Sequence, residues 1–500
     1  MSGIKPAVHA ILKVLSPSQV REIHKATMEI LERVGVAFEE EEALDLFGRA
    51  GAKVQNEVVR LPSQMVEELL RRCPPRVTLH AKDPSKSVRL GANAVHYTNG
   101  YGTTFVRDLD TGRVRQARLD DLERFTRLSD SLDNVHYILT QVIPQDVPAE
   151  AADVYQAWTL LKTARKHVGL SVSKSTYLEE VVEMGKLASG MGDPKKKGGG
   201  FVFSLGTTPV SPLRYSKDGT LRLLRLPRDG IVTRIVSGAT CGATSPVSLA
   251  GTLAVQNAEI LAGICLVQLV RPGNPVLYGT FAAPMDMLKG KQVLGSPEGA
   301  ILSAATAQLC RFYHIPFGYG TGGIADSSMT DIQTGIEKTY TVLYGALAGV
   351  DVIHDAVGGL LSTAMVSSYE QMVIDDELCN MINRGLRGIG VDPESLALDV
   401  IAEVGQRGNY LSTEHTLRRF REELFLPSLF DRRGFGERGE EGLEILEKAR
   451  SKVRGMLARP CKSPIRPETE EGMDRILQGV LADIKKREVE VGAGKSYMKS

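Results

Sequence analysis

The feature that most limits how this chain can fold is a set of eight short apolar runs, each followed by a longer stretch of helical character. They are AVHYTN (94–99), VHYILTQVIP (135–144), HVGLSV (167–172), GFVFSLGTT (200–208), GIVTRIVSGAT (230–240), PVLYGTFAAP (275–284), PFGYGTGG (316–323) and VDVIHDA (350–356). Several are apolar at successive positions instead of alternating, the mark of a strand covered on both faces. The stretches between them, such as 248–270, 297–314 and 331–350, are long enough to return across a sheet. In the last, Ile332, Ile336, Tyr340, Leu343 and Leu347 recur every three or four residues, the spacing of one helix face. Eight strand–helix repeats predict an α/β protein built as a (β/α)₈ barrel of the TIM type. An open doubly wound sheet is the competing arrangement, and periodicity alone does not separate the two.

The flanks read differently. Over 1–90 the sequence predicts an N-terminal helical extension: Ser16 is a cap, Pro17 sits at the first helical position, and Val20, Ile23, Met28, Ile30, Leu31 and Val34 form a stripe that stops at Gly35. SQMVEELLRRC (63–73) repeats the theme, while RVTLHA (76–81) and the turn DLDTGRV (108–114) point to hairpins. The barrel is assigned to 91–390 and a C-terminal helical region to 391–500. There a Gly- and charge-rich stretch (432–442) precedes amphipathic helices near 440–458 and 467–487, expected to serve packing or oligomer contact.

Charge and composition narrow the partners. Sixty-one basic against 60 acidic residues give a formal net charge of +1, too little to draw the chain to nucleic acid or an anionic membrane. Six cysteines without C-x-x-C pairing or nearby histidines predict buried thiols, no disulfide framework and no metal site. The most apolar segment, ILAGICLVQLV (260–270), falls short of the ~20 residues that cross a bilayer. The first sixteen residues lack a secretory apolar core, so a cytoplasmic location is expected.

Two glycine motifs mislead. Gly318, Gly320 and Gly323 satisfy G-x-G-x-x-G, but the dinucleotide loop needs its third glycine to open a helix, and the next helix begins near Asp331. VGAGKS (491–496) lacks the first glycine of a P-loop, Val489 standing in its place, and follows a charged helix instead of a strand. What GYGTGG does offer is a strand end stripped of side chains, as do SLGTTPVSP, SGATCGATSP and GTFAAP. Such ends either leave a wide cavity at the barrel mouth or close tight turns. Nearby lie Tyr97, Tyr101, Phe105, Gln141, Phe281, His354 and Asp355, with Glu370, Asp375 and Asp376 on the following helix; the last two are expected on a solvated face. Aromatic rings with a carboxylate are how proteins hold a quaternary ammonium, at ~0.5–2 kcal/mol per ring. No G-x-S-x-G elbow, H-E-x-x-H pair or zinc cluster appears, so no catalytic residue is assigned.

LSPSQVREIHKATMEILERVGVAF (15–38), TGGIADSSMTDIQTGIEKTYTVLYGALAGVDVIHDAVG (321–358) and SYEQMVIDDELCNMI (368–382) resemble the trimethylamine–corrinoid methyltransferase family, over roughly residues 15–455. The resemblance implies a barrel enzyme of methanogenic or acetogenic one-carbon metabolism. Such an enzyme passes a methyl group from a methylated amine to reduced cobalt in a separate small corrinoid protein and binds no cofactor tightly itself. Trimethylamine enzymes carry pyrrolysine; this chain has ordinary residues throughout, as does the branch acting on quaternary amines such as glycine betaine. The expected site follows: Tyr97, Tyr101 and Phe281 caging the trimethylammonium, Asp326 or Glu370 supplying the counter-charge, and His354 with Gln141 binding the substrate carboxylate. A homo-oligomer is expected. The alternatives are a tertiary-amine enzyme, a barrel enzyme that cradles a phosphorylated metabolite on GYGTGG, and a betaine-binding barrel without catalysis.

Overall fold

A computed structural model describes residues 11–190, 200–434 and 445–497. The eight runs form the eight strands: β1 (His96–Tyr97), β2 (Ile138–Leu139), β3 (Val168–Leu170), β4 (Phe203–Thr207), β5 (Thr233–Ser237), β6 (Val276–Thr280), β7 (Phe317–Thr321) and β8 (Val352–His354). All pair in parallel in chain order from β2 to β8, and β8 pairs back onto β1. A parallel bridge between Thr98 and Tyr137, with the His136 amide donating to the Tyr97 carbonyl at 2.9 Å, joins β1 to β2. The sheet is therefore closed, and the open doubly wound alternative falls. The outer ring is α1 (Leu119–Ser131), α2 (Ala152–Thr163), α3 (Leu178–Ser189), α4 (Lys217–Asp229), α5 (Leu249–Val270), α6 (Pro297–Tyr313), α7 (Ile332–Leu347) and α8 (Tyr369–Leu386), one after each strand.

Two of these helices differ from what their patterns suggest. α5 is long and apolar enough to cross a membrane, but 83% of its apolar window is buried inside the fold. Helices apolar all round are core helices in a globular chain. Its buried polar residues are satisfied internally: Asn257 bonds Tyr278, Tyr313 and Thr27, and Glu259 accepts from Ser237, Ser211 and the Leu213 amide. The apolar stripe of α7 instead faces outward, with Ile332 84% and Ile336 63% exposed. Its barrel-facing positions are Thr334, Lys338, Thr341, Val342, Gly345 and Ala346.

The N-terminal cap at Ser16 and Pro17 is present as a capping box on the helix Pro17–Glu29. The segment 1–90 is nonetheless not purely helical. Strands Val36–Phe38, Lys53–Gln55 and Val58–Arg60 form a small sheet completed by Arg214–Tyr215. Three-residue strands are too short to show a period of two, and their edge partner lies far along the chain. A hairpin, Val77–Leu79 with Val88–Leu90, plugs the N-terminal end of the barrel by packing on Leu277 and Val352. Helices Ile445–Leu457 and Pro467–Tyr497 pack on the barrel wall, and most of the Gly- and charge-rich stretch lies outside the described residues. VGAGKS falls inside the last helix, not on a loop. Five cysteines are buried free thiols and Cys461 is exposed.

Candidate functional site

At the C-terminal end of the barrel, loops after the strands enclose a cavity of about 330 Å³. Its walls take Tyr101 from the loop after β1, Gly206 and Thr207 from β4, Arg234 and Val236 from β5, Phe281 after β6, Tyr319 from β7 and Asp355 after β8. Arg222 reaches in from α4, and Leu294, Ile324 and Ala364 close the apolar side. This is the end where barrel enzymes place their substrates.

The glycines of the strand ends turn out to make room for the protein's own groups. A Cβ at Gly238 would overlap the Phe281 ring, and one at Gly169 would sit 3.1 Å from the Arg234 guanidinium. The GYGTGG loop is packed too: Gly323, at φ +83°, leaves a Cβ no space against the Asp355–Ala356 backbone, and its carbonyl accepts from Lys338 Nζ. It opens no helix, since α7 begins at Ile332 behind its cap Asp331.

The chemistry of the cavity lies in three buried ionisable side chains. Arg234 is 3% exposed and donates Nη2 to the Leu170 carbonyl at 2.6 Å, while its Nε has no partner. Arg222 is 7% exposed, with one long bond to the Ser173 carbonyl and an Nε likewise unpartnered; burial pulls its pKa down. Asp355 is 1% exposed, and its Oδ1 has no partner. Burial pushes the Asp355 carboxyl up to about 8 against the opposing pull of Lys338 and the Tyr101 amide. Buried polar atoms in folded proteins are nearly always satisfied, so three side chains that line one cavity and each leave a buried atom unpaired mark an under-satisfied polar site. The floor is Tyr319 stacked on His354, ring centroids 3.3 Å apart, with His354 Nε2 held 2.8 Å from the Tyr137 hydroxyl. Burial keeps His354 neutral, its pKa well below the usual value.

Of the residues expected from sequence, Tyr101 and Phe281 line the cavity and His354 lies just beneath it. The others are elsewhere. Tyr97 points outward from β1, fully buried, and donates to Asn383 Oδ1 on α8 at 2.7 Å. Gln141 is saturated by the Gly100 amide, Asn99, the Gly358 carbonyl and Ser367. Asp326 accepts from the Leu294 and Gly295 amides and Thr363 Oγ1, stitching three loops together. Glu370 pairs with Arg450 at 3.1 Å on helix Ile445–Leu457. Asp375 and Asp376 are not solvated: the first pairs with buried Lys338 at 3.0 Å, and the second is held by Asn134. Among the described residues lining the cavity, the acidic one is Asp355, not Asp326 or Glu370. Arg234 went unassigned although an arginine inside an apolar strand, GIVTRIVSG, was the visible signal. Arg222 and Tyr319 carried none.

Among the described residues no group of three or more His, Cys, Asp and Glu is arranged to hold a metal ion. The sequence profile of the trimethylamine methyltransferase (MTTB) family matches residues 4–492. A glycine betaine methyltransferase of Desulfitobacterium hafniense (strain Y51) is 36% identical over 471 residues, covering 94% of this chain and 96% of that protein. A trimethylamine methyltransferase MttB of Methanosarcina barkeri is 33% identical over 479 residues, covering 93% and 94%. The crystal structure of the Methanosarcina barkeri monomethylamine methyltransferase MtmB aligns over 88% of this chain and 92% of that one, with 12% identity and a TM-score of 0.46.

Proposed function

The chain belongs to the trimethylamine methyltransferase family, and we propose that it moves a methyl group to a corrinoid protein from an amine that is quaternary and carries a carboxylate, as glycine betaine does. One observation carries this reading: two buried guanidiniums, Arg222 and Arg234, and a buried carboxyl, Asp355, line the same small aromatic cavity, each with one atom unpartnered. A simple methylated cation has no use for two buried guanidiniums, and a zwitterion uses both ends. The substrate carboxylate takes the guanidiniums of Arg222 and Arg234. The trimethylammonium lies against Tyr101, Phe281 and Tyr319, each ring worth ~0.5–2 kcal/mol once desolvated.

The chemistry asks little else of the protein. Co(I) of the corrinoid, the methyl acceptor, supplies an electron pair to a methyl carbon. The C–N bond breaks, its pair stays on nitrogen, and a neutral tertiary amine leaves. A nitrogen that already carries its charge needs no acid to become a leaving group, so the residues here hold and aim. The barrel mouth is rimmed by exposed Val210, Val247, Met287, Leu288, Met329 and Met365, all on loops that follow strands. Adaptable Met-rich surfaces of this kind suit a docking partner, and the cognate corrinoid protein is the occupant this reading requires. The exposed stripe of α7 and exposed apolar residues that follow α8, such as Ile389, Leu398 and Leu411, support self-association.

The test is a panel of methylated amines, with and without carboxylates, mixed with the protein and reduced corrinoid protein. Methylated corrinoid in the visible spectrum with carboxylated quaternary amines, and none with trimethylamine, is the expected result. Turnover of trimethylamine in preference to any betaine refutes the proposal.

A further inference from the structure

Resting on the reading of the cavity as an ammonium site, we infer that Asp355 selects a fixed cation over an uncharged group of the same shape, and that its proton leaves for solvent as the cation enters. The argument begins with geometry. Asp355 sits just after β8 in a left-handed backbone conformation, φ +65°, which a non-glycine residue adopts only at a cost. That conformation places the carboxyl in the cavity wall with Oδ1 unpartnered.

The groups around it do not neutralise it. Lys338 from α7 lowers its pKa by charge, but the Lys338 ammonium is already bonded to Asp375 of α8 and to the Gly323 carbonyl. Arg222 from α4 and Arg234 from β5 line the same cavity, but neither guanidinium is bonded to the Asp355 carboxyl: Arg222 bonds the Ser173 carbonyl and Arg234 the Leu170 carbonyl. Tyr137 from β2 and Tyr319 from β7 are held in their neutral phenol forms by burial. His354, its neighbour on β8, is uncharged, and the loop after β1 contributes only the Tyr101 amide. An empty cavity therefore leaves a buried carboxyl with no adequate counter-charge, and such a group keeps its proton at neutral pH.

A quaternary ammonium has no N–H and cannot hydrogen-bond to the protonated acid. It can only act by its charge, which favours the carboxylate. Cation in and proton out are thus one event, and the site stays electrically balanced. After methyl transfer the amine is neutral, and one proton returns from solvent to the amine or the carboxyl. A neutral isostere gives the acid no reason to ionise.

The experiment is isothermal titration of the protein with glycine betaine and with 3,3-dimethylbutanoate, the carboxylate in which an uncharged tert-butyl group replaces the trimethylammonium. Buffers of different ionisation enthalpy at pH 7 report the protons exchanged. Glycine betaine should release close to one proton per site, and its Kd should tighten about fiftyfold from pH 6 to pH 8 and then level off. The isostere should release none and bind more weakly above pH 8. Asp355→Asn should abolish both the proton release and the pH trend for glycine betaine. The wild-type comparison of the two ligands stands without that variant. Glycine betaine binding with no proton released overturns the inference and leaves the cavity reading intact. Failure to bind glycine betaine or any other methylated ammonium at pH 8 overturns both.

Discussion

Lys338→Met attacks an ion pair that is fully buried at both ends behind the cavity. Lys338 and Asp375 are 1% and 0% exposed, 3.0 Å apart, and Lys338 also bonds the Gly323 carbonyl. Asp375 in turn accepts from the Gly359 amide at 2.7 Å and from Gln371 at 2.8 Å. The pair therefore ties the loop after β7 to the loop after β8. Removing one partner of a buried pair costs about 3–5 kcal/mol, because the other charge is left without its counterpart. Asp375 keeps two donors, which places the cost at the lower end, about 3 kcal/mol. For 500 residues the unfolding entropy is about 1 kcal/mol/K, so Tm should fall by about 3 °C. Burial already raises the Asp375 pKa, and losing Lys338 raises it further. A raised carboxyl pKa stabilises on the acid side and is lost as pH climbs through it, so the deficit should narrow as pH falls. Combining Lys338→Met with Asp375→Leu removes both charges and should recover much of the loss. Thermal unfolding followed by circular dichroism reads all of this. A Lys338→Met protein within 1 °C of wild type, or a double variant worse than either single one, refutes the reasoning.

Arg234→Met should raise KM for glycine betaine by roughly ten- to a hundredfold, the worth of a charge-assisted hydrogen bond of about 1.5–3 kcal/mol, while binding of tetramethylammonium, measured by calorimetry, changes little. Gly238→Ala should drive the Phe281 ring off its wall, costing about 1–3 kcal/mol of stability in denaturant titrations and raising KM several-fold. Tyr97→Phe strips a buried hydroxyl from Asn383 and should lower stability by about 1–2 kcal/mol with KM unchanged; a large KM effect would return Tyr97 to the site.

The barrel was legible because its eight strands are short apolar runs in a fixed alternation, and the order of such runs survives in sequence. Which way each side chain points was not. A strand buried on both faces has no polar side to mark the outside. Tyr97, turned outward, and Arg234, turned inward, therefore looked alike in kind until the sheet closed. Carboxylates posed the same difficulty: Asp326, Glu370 and Asp355 all follow strands, and only their bonding separates a loop stitch, an ion pair with Arg450 and an unmet charge.

The sequence by itself determined the eightfold strand–helix alternation, the family and the absence of an H-E-x-x-H or G-x-S-x-G signature, since each is a matter of residue type and spacing along the chain. Closure of the sheet into a barrel waited on the pairing of β1 with β2 and β8. Only the tertiary structure decided that Asp355, Arg222 and Arg234 share the cavity, and that Asp326 and Glu370 do not. The reason is physical: a buried group's role depends on which partners remain unsatisfied around it, and those partners come from strands and loops far apart in the chain.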